Sequence, residues 1–442
     1  MVRKEVLALE RCIHGGKVPE VIGKSGRLVD FSASINPTGP PYVREILLDA
    51  CENIGRYPDD QYVKFREAAA SFAGVHCENI VPGNGSLELI RLFAELIVEH
   101  GDKVIIPSPT FCEYEFNCRL FGAKPLFVES SKVDKISDKM LEESKALFIC
   151  NPNNPTGELL QRYSLEELAD RCIKNETYLF VDETFIELSD PEQSICDIAA
   201  KEDYIFVLRS LTKCFAIPGI RIGYGIGSRR WVELMNKSRL SWNISCFAEA
   251  VGIHLFQKSD YLEKSRELIK SERKWLVNKL SEIKGVNPLE SHANFILLDV
   301  KGTDLSSSEL TECMLYHGFL IRNCSSFKSL GEGYVRVAVR TRKENEKLVI
   351  ALKQVIDPTA RENCEHYPCH FLGQDCTFCF CPFYPCKSER LGKYVKTSSG
   401  RVAWSCIDCE MIHQTDIVQE IMDRLLADDE LSEIWKIIEM RL

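Results

Sequence analysis

Between about residues 75 and 230, short apolar runs alternate with stretches whose hydrophobic positions recur at helical spacing. DKVIIP (102–107), KALFIC (145–150), TYLFVD (177–182) and DYIFVL (203–208) read as buried strands, because unbroken apolar runs of this length suit a sheet covered on both faces. Between them lie helical patterns such as SLEELADRC, where Ser164 is the expected N-cap. PGNGSLELIRLFAELI (82–97) opens another at Gly85 and Ser86. Strand–helix alternation predicts an α/β fold with a mainly parallel sheet. Such sheets bind ligands beyond the carboxyl ends of their strands. The runs above are followed at once by SPTF, NPNNPTG, DETF and RSLTK, so these segments are expected to converge on one pocket.

Residues from about 250 to 355 mix long polar helices with strands (ANFILLDV, YVRVAVR), as a smaller α+β domain would. DPTARENCEHYP then breaks the composition, a Cys-rich segment follows, and the last thirty residues predict one or two amphipathic helices. The expected division is an N-terminal arm (1–44), a large domain (45–250), a small domain (251–357) and a Cys-rich module (358–442).

With 45% hydrophobic and 27% charged residues in a chain of 442, composition is that of a globular protein with a sizeable core. A net charge of −10 argues against nucleic acid as the main partner. MVRKEVLALERC has no apolar core or small-residue cleavage site, and no apolar run reaches the roughly 18 residues of a membrane span. The expectation is a cytoplasmic protein without a membrane partner.

Cysteine changes the picture at one end only. Of 20 cysteines, twelve are scattered singly before residue 355 and eight crowd into 364–409: Cys364, Cys369, Cys376, Cys379, Cys381, Cys386, Cys406 and Cys409. In a reducing compartment this clustering favours a metal site over disulfides. Eight thiolates suffice for two structural zinc sites or two iron–sulfur clusters, with zinc slightly favoured; His366, His370 and His413 are available as substitute ligands.

The chemistry sits in the polar segments. Lys213 falls just past a predicted strand, with Ser210 three residues before it and Arg221 eight after; Asp182 ends the strand YLFVD, Asn154 lies in NPNNPTG, and Gly85–Ser86 open a helix. Singly, each has a bland reading: a solubilising lysine, a helix cap, an ordinary Asn-Pro-Thr-Gly turn, a Gly-rich helix start. Together they supply what pyridoxal phosphate (PLP) needs. Lys213 would carry the cofactor as a Schiff base, and Asp182 would keep the pyridine nitrogen protonated. Gly85, Ser86, Ser210 and Arg221 would hold the phosphate, by helix-terminal N–H groups, hydroxyl and guanidinium.

In that order of residues the chain, over roughly 10–355, resembles the fold-type I PLP-dependent transferases and, within them, the histidinol-phosphate aminotransferase branch. The resemblance implies that Asn154 bonds the pyridine 3′-oxygen, that Phe111 stacks on the cofactor, and that Tyr57 reaches the phosphate from a neighbouring subunit, hence a homodimer. HGG (14–16), DFSASINPTGPP (30–41), VDETFIELSD (181–190) and YVRVAVRTRKEN (334–345) are similar to the decarboxylases of this branch that act on L-threonine O-3-phosphate in cobalamin biosynthesis. They imply His14, Gly15, Ser34, Asn154, Arg322 and Arg336 as contacts for a small phosphorylated amino acid, although Ser34 stands where asparagine is expected. Aminotransferases of the branch carry a tyrosine three residues after the strand-end aspartate; here that residue is Phe185. Three alternatives stay open: an aminotransferase of the histidinol-phosphate type, a tail that phosphorylates threonine, and an inactive PLP fold serving as a metal-dependent interaction protein. Against a kinase, VIGKSG (21–26) lacks the first glycine of a P-loop.

Overall fold

The structure, a computed structural model, describes residues 2–16, 28–356, 369–371, 374–396 and 401–441. VIGKSG, Cys364 and His366 lie outside the described residues.

The four predicted strands form, as Lys103–Ser108, Ala146–Cys150, Tyr178–Asp182 and Ile205–Ser210, and pair parallel in one sheet. Lys124–Glu129 extends the sheet in parallel at one edge. At the other, Gly223–Gly227 runs antiparallel to both Ile205–Ser210 and Ile80–Gly83. The seven-stranded sheet is therefore mixed. The chain reverses after Ser210 through the short helix Leu211–Cys214 rather than through a long crossover, and a short return can only pair antiparallel. Phe93, Phe148, Phe180, Phe206 and Trp231 fill one face of the sheet. Gly225 is required there, because a Cβ would run into the Phe206 ring.

The helix Arg162–Lys174 starts before the predicted cap: Gln161 occupies the N-cap position without a side-chain bond, and Ser164 lies inside the first turn. Its start is fixed instead by Arg162, which pairs with Asp197 at 2.9 Å and Glu166 at 2.7 Å. Helix Ser259–Ser281 serves two cores: Leu262 and Ile269 pack into the large domain, Leu276 and Leu280 into the small one. The expected boundary at 250/251 falls inside helix Cys246–Leu255, whose Val251 and Leu255 pack in the large-domain core, one helix ahead of the element that joins the domains.

In the small domain, Arg322–Asn323, Tyr334–Ala338 and Phe295–Asp299 form an antiparallel sheet in which Arg322 sits directly opposite Arg336. Arm strand Val29–Asp30 pairs with Phe319–Leu320, and Phe31 enters the small-domain core. The Cys-rich module ends in two helices, Thr415–Leu426 and Leu431–Glu439, around a core of Phe383, Met411, Ile417, Ile421, Ile434 and Ile438. It rests on the small domain through Tyr316, whose ring lies tilted 4.0 Å from that of Phe371, and through Gln354, which donates to Asp375 at 3.0 Å. Among the described residues no helix is long and apolar enough to cross a membrane.

Beneath the strand ends lies a buried ion network. Arg209 bonds Glu183 at 2.7 Å and Ser194 at 2.8 Å, and pairs with Glu187. Burial works against the guanidinium, but the two glutamates outweigh it and hold its proton well above the ordinary range. Removing one partner of such a set leaves an uncompensated buried charge. Glu183→Ala is expected to destabilise the protein by about 3 kcal/mol in urea unfolding, and an unchanged midpoint would refute the network's structural role.

Candidate active site

The polar segments converge as their strands predict. Ser86, Phe111, Asn154, Asp182, Lys213, Arg221, Arg322 and Arg336 line one cavity of about 220 Å3, together with His14, Gly15 and Ser34 of the arm. Lys213 follows strand Ile205–Ser210 on the short helix capped by Ser210, whose hydroxyl also lies 2.8 Å from that of Thr212. Burial first, then the charges of Arg336 and Arg221, lower its amine to about 8. Among the described residues it has no ion-pair partner. Backbone contacts fix its place: its carbonyl accepts from the Asn36 amide at 3.1 Å, and Asn36 Nδ2 donates to the Cys214 carbonyl at 2.7 Å.

Asp182 is 3% exposed. It accepts from the Tyr114 hydroxyl at 2.7 Å and the Thr184 amide at 2.9 Å, and burial raises its carboxyl above the usual range. No basic side chain among the described residues pairs with it. A buried carboxylate needs a cationic or hydrogen-bonding counterpart, and a protonated ring nitrogen in the cavity would supply one. Gly85, at φ 73°, comes so close to the Arg221 guanidinium that a Cβ there would collide with it. With helix Ser86–Ile97 starting beside it, this makes a cradle for a phosphate. The residues present therefore fit PLP: Lys213 for the aldehyde, Asp182 for the ring nitrogen, Gly85, Ser86 and Arg221 for the phosphate.

Opposite this set stand two buried arginines. Arg336 donates to the Ser32 carbonyl at 3.0 Å and to Asn154 Oδ1, and lies 4.8 Å above the Phe295 ring; its Nε has no partner. Burial lowers it to about 10. Arg322 donates to the Ile13 carbonyl at 2.7 Å and to Ser326 at 2.8 Å, and burial lowers it too. Neither pairs with a carboxylate among the described residues. Arg336 is 6% exposed, so it is not a solvent-facing strand charge. Ser34 contributes a buried hydroxyl without a partner. Asp30 shapes the loop before it, accepting from Ser32 N, Ser32 Oγ and Ala33 N at 2.7, 2.7 and 3.1 Å.

Ser210 and Gly85 do not line the cavity themselves but adjoin residues that do: Ser210 caps the helix that carries Lys213, and Gly85 abuts the Arg221 guanidinium. Tyr57, 78% exposed, stacks on Trp242 at 4.3 Å rather than entering the site of its own chain. Tyr114 and Asn36 are site residues that sequence reading missed.

In the module, Cys369, His370 and His413 bring ligand atoms within 4.8 Å of one another. Gln374 Nε2 lies 3.1 Å from Cys369 Sγ and 3.4 Å from Cys376 Sγ. Separately, burial first, and then neighbouring Cys409, Cys386 and Cys406, raise the Cys381 thiol. Cys379 is exposed. Among the described residues the other module cysteines thus fall in two groups, one of them with histidine neighbours.

The chain belongs to the family described as aminotransferase class I and II, which it matches over residues 27–352; its fold is that of the fold-type I PLP enzymes. A second match, to a family described as a cysteine-rich small domain, covers residues 356–434. Within the PLP family it is similar to a provisionally named threonine-phosphate decarboxylase of Caldanaerobacter subterraneus, 36% identical over 73% of this chain and 88% of that one. It is also similar to the histidinol-phosphate aminotransferase of Methanosarcina mazei, 30% identical over 80% of this chain and 96% of that one. Among solved structures, the histidinol-phosphate aminotransferase of Clostridium acetobutylicum aligns at a TM-score of 0.67, 31% identical over 74% of this chain and 99% of that one. L-Threonine-O-3-phosphate decarboxylase of Porphyromonas gingivalis shares the fold at 0.68 and 24% identity, over 74% of this chain and 98% of that one. The resemblance read from the sequence is borne out.

A lysine reacts as the free amine, so its lowered value has a kinetic consequence. The apoenzyme is expected to capture PLP at a rate that rises through about pH 8. Arg336→Gln removes a repelling charge and should move that midpoint upward. Borohydride fixation should place the label on the Lys213 peptide; a label elsewhere would refute the assignment.

Proposed function

We propose that the chain decarboxylates L-threonine O-3-phosphate to (R)-1-aminopropan-2-yl phosphate, the linker for the cobamide nucleotide loop. The observation that carries this reading is the pair of buried, carboxylate-free arginines facing Lys213 across one cavity. An amino acid with a second anionic group satisfies both, and charge-assisted bonds to guanidinium are the strong ones. Arg336, tied to Asn154, would take the carboxylate, and Arg322 with His14 the phosphate. Dicarboxylate substrates of aminotransferases also present two anions, so Phe185 favours decarboxylation over transfer. It withholds the hydroxyl that aminotransferases of this branch carry, and packs instead at 5.0 Å on Phe295.

When bound, PLP supplies an electron sink for the bond that breaks at Cα. The chain's own groups then have distinct tasks. Asp182, oriented by Tyr114 and Thr184, holds the proton on the ring nitrogen. Arg336 and Asn154 would grip the substrate carboxylate and fix its direction, which selects its bond to Cα for cleavage. Ser34 offers its unpartnered hydroxyl to the substrate. Lys213 would supply the proton that Cα takes up in place of the departing CO2. The arm residues His14 and Gly15 exclude water above the site. We take the working unit to be a homodimer in which the exposed Tyr57 reaches the cofactor phosphate of the neighbouring subunit.

The module we read as a metal-bearing structural appendage. Cys381, Cys386, Cys406 and Cys409 would form a four-thiolate site, and Cys369, His370 and His413 most of a second. Folding of so small a unit around a metal is thermodynamically linked to binding. A strong chelator should therefore release metal and expose Trp404 and Trp435, seen as a fluorescence shift; a metal-free module with unchanged fluorescence refutes the reading.

Product analysis tests the reaction. Incubation with threonine phosphate should release CO2 and aminopropanol phosphate, and Arg336→Gln should lower kcat/KM by about a hundredfold or more. Serine phosphate should be turned over less well, since one methyl is worth only about 1–3 kcal/mol. Transfer of an amino group from histidinol phosphate to 2-oxoglutarate, without CO2 release, would overturn the assignment.

A further inference from the structure

One carboxylate bonded to a residue of the cavity lining has no task in the reaction proposed above. Glu113, in the first turn of helix Cys112–Leu120, places Oε1 2.9 Å from His14 Nε2, and its side chain is 13% exposed. Its other oxygen accepts from Asn117 Nδ2 at 3.1 Å, so the carboxylate is held in place within its own helix. On the far side, Arg322 grips the carbonyl of Ile13 at 2.7 Å, and the Phe111 ring lies 5.8 Å from that of His14. His14 is thereby fixed between an acid and an arginine that itself has no carboxylate partner.

Tautomer chemistry makes this arrangement informative. A neutral imidazole donating to Glu113 through Nε2–H would keep a lone pair on Nδ1 and repel an anion. Only the imidazolium keeps an Nδ1–H donor free. We propose that Glu113 is a positioning residue of the phosphate subsite: it holds His14 as the imidazolium that receives, together with Arg322, the phosphate of the substrate. This rests on the substrate reading given above. It also explains why an acid is tolerated beside an anion site, since its charge is committed to the histidine.

The charges around the ring agree. The bond to Glu113 raises His14 above the ordinary histidine range, burial opposes it, the Cys112 thiol adds to the rise and Arg322 opposes it. Cys12, on the arm itself, contacts Cys112 and has its thiol pushed far up, so it stays protonated. Since the folded value is raised, His14 keeps its charge to a higher pH than an ordinary histidine. Without the Glu113 charge it must lose its proton earlier.

The test uses the holoenzyme with 13C-labelled histidine, the His14 resonance being identified by its absence in His14→Asn. Inorganic phosphate is the probe. In Glu113→Gln the His14 midpoint should fall, with Glu113→Asp in between. At about pH 7.5 phosphate affinity should drop about fivefold, while at about pH 5.5, where both rings are charged, the proteins should bind alike. KM for threonine phosphate should rise by the same factor with kcat held. A His14 midpoint unmoved by Glu113→Gln overturns the proposal while leaving the phosphate subsite standing. Phosphate that perturbs nothing at His14 removes subsite and proposal together, and either result is independent of which product the enzyme forms.

Discussion

Arg322 and Arg336 face each other across two paired strands, both buried and neither matched by a carboxylate among the described residues. Like charges in cross-strand register destabilise a sheet, and burying a charge without a counter-ion costs more still. The fold offsets part of this with neutral groups: the carbonyls of Ile13 and Ser32, the amide of Asn154, and the rings of Phe295 and Phe327. The carbonyls come from the arm. Its wrapping over the small domain, stitched by strand Val29–Asp30 and the Asp30-centred turn, is thus a consequence of the two cations. The remaining deficit of negative charge is what an anionic ligand supplies.

Asp182 poses the same problem with the sign reversed. It sits at a strand end, buried, with a phenol and an amide as donors and no base. A cavity holding unpartnered groups of both signs, Lys213 and the arginines on one side and a carboxylate on another, is stable only while those groups keep apart. A zwitterionic, phosphorylated cofactor and the doubly anionic amino acid of the proposed reaction would bridge them. Lys213 feels this imbalance most directly: burial and two neighbouring guanidiniums lower its proton affinity, so the field that awaits a substrate also keeps the amine reactive.

What was legible in the sequence follows from these forces. Parallel strands buried on both faces leave uninterrupted apolar runs, and ligands gather at their carboxyl ends, so Lys213, Asp182 and Asn154 could be placed together from order alone. Other features left no local signal. Tyr114 reads as one more aromatic on an amphipathic helix; its spacing of three from Phe111 is consistent with packing, and only the tertiary fold aims its hydroxyl at Asp182. Asn36 acts across nearly the whole large domain. Ser164 lost the cap to Gln161 because a distant Asp197 anchors Arg162, a tertiary override of a local preference. In the module, cysteine spacing raised the expectation of a metal, but the grouping of Cys369 and His370 with His413 requires two segments more than forty residues apart to meet.

Phe185 links the choice of reaction to the same arginine. In the proposed reaction, the bond that breaks at Cα would depend on where the substrate carboxylate is held. Arg336, seated on the face of Phe295 at 4.8 Å, would set that position. Phe295 is in turn met edge-on by Phe185 at 5.0 Å, with Ala293 closing the cluster. A tyrosine hydroxyl directed into this apolar contact would need a partner that the cluster does not provide. Pointed the other way, it would draw the ring off Phe295. Phenylalanine at 185 therefore does more than omit a donor: it braces the surface on which the Arg336 guanidinium rests, so in the proposed reaction it would act through the orientation of Arg336.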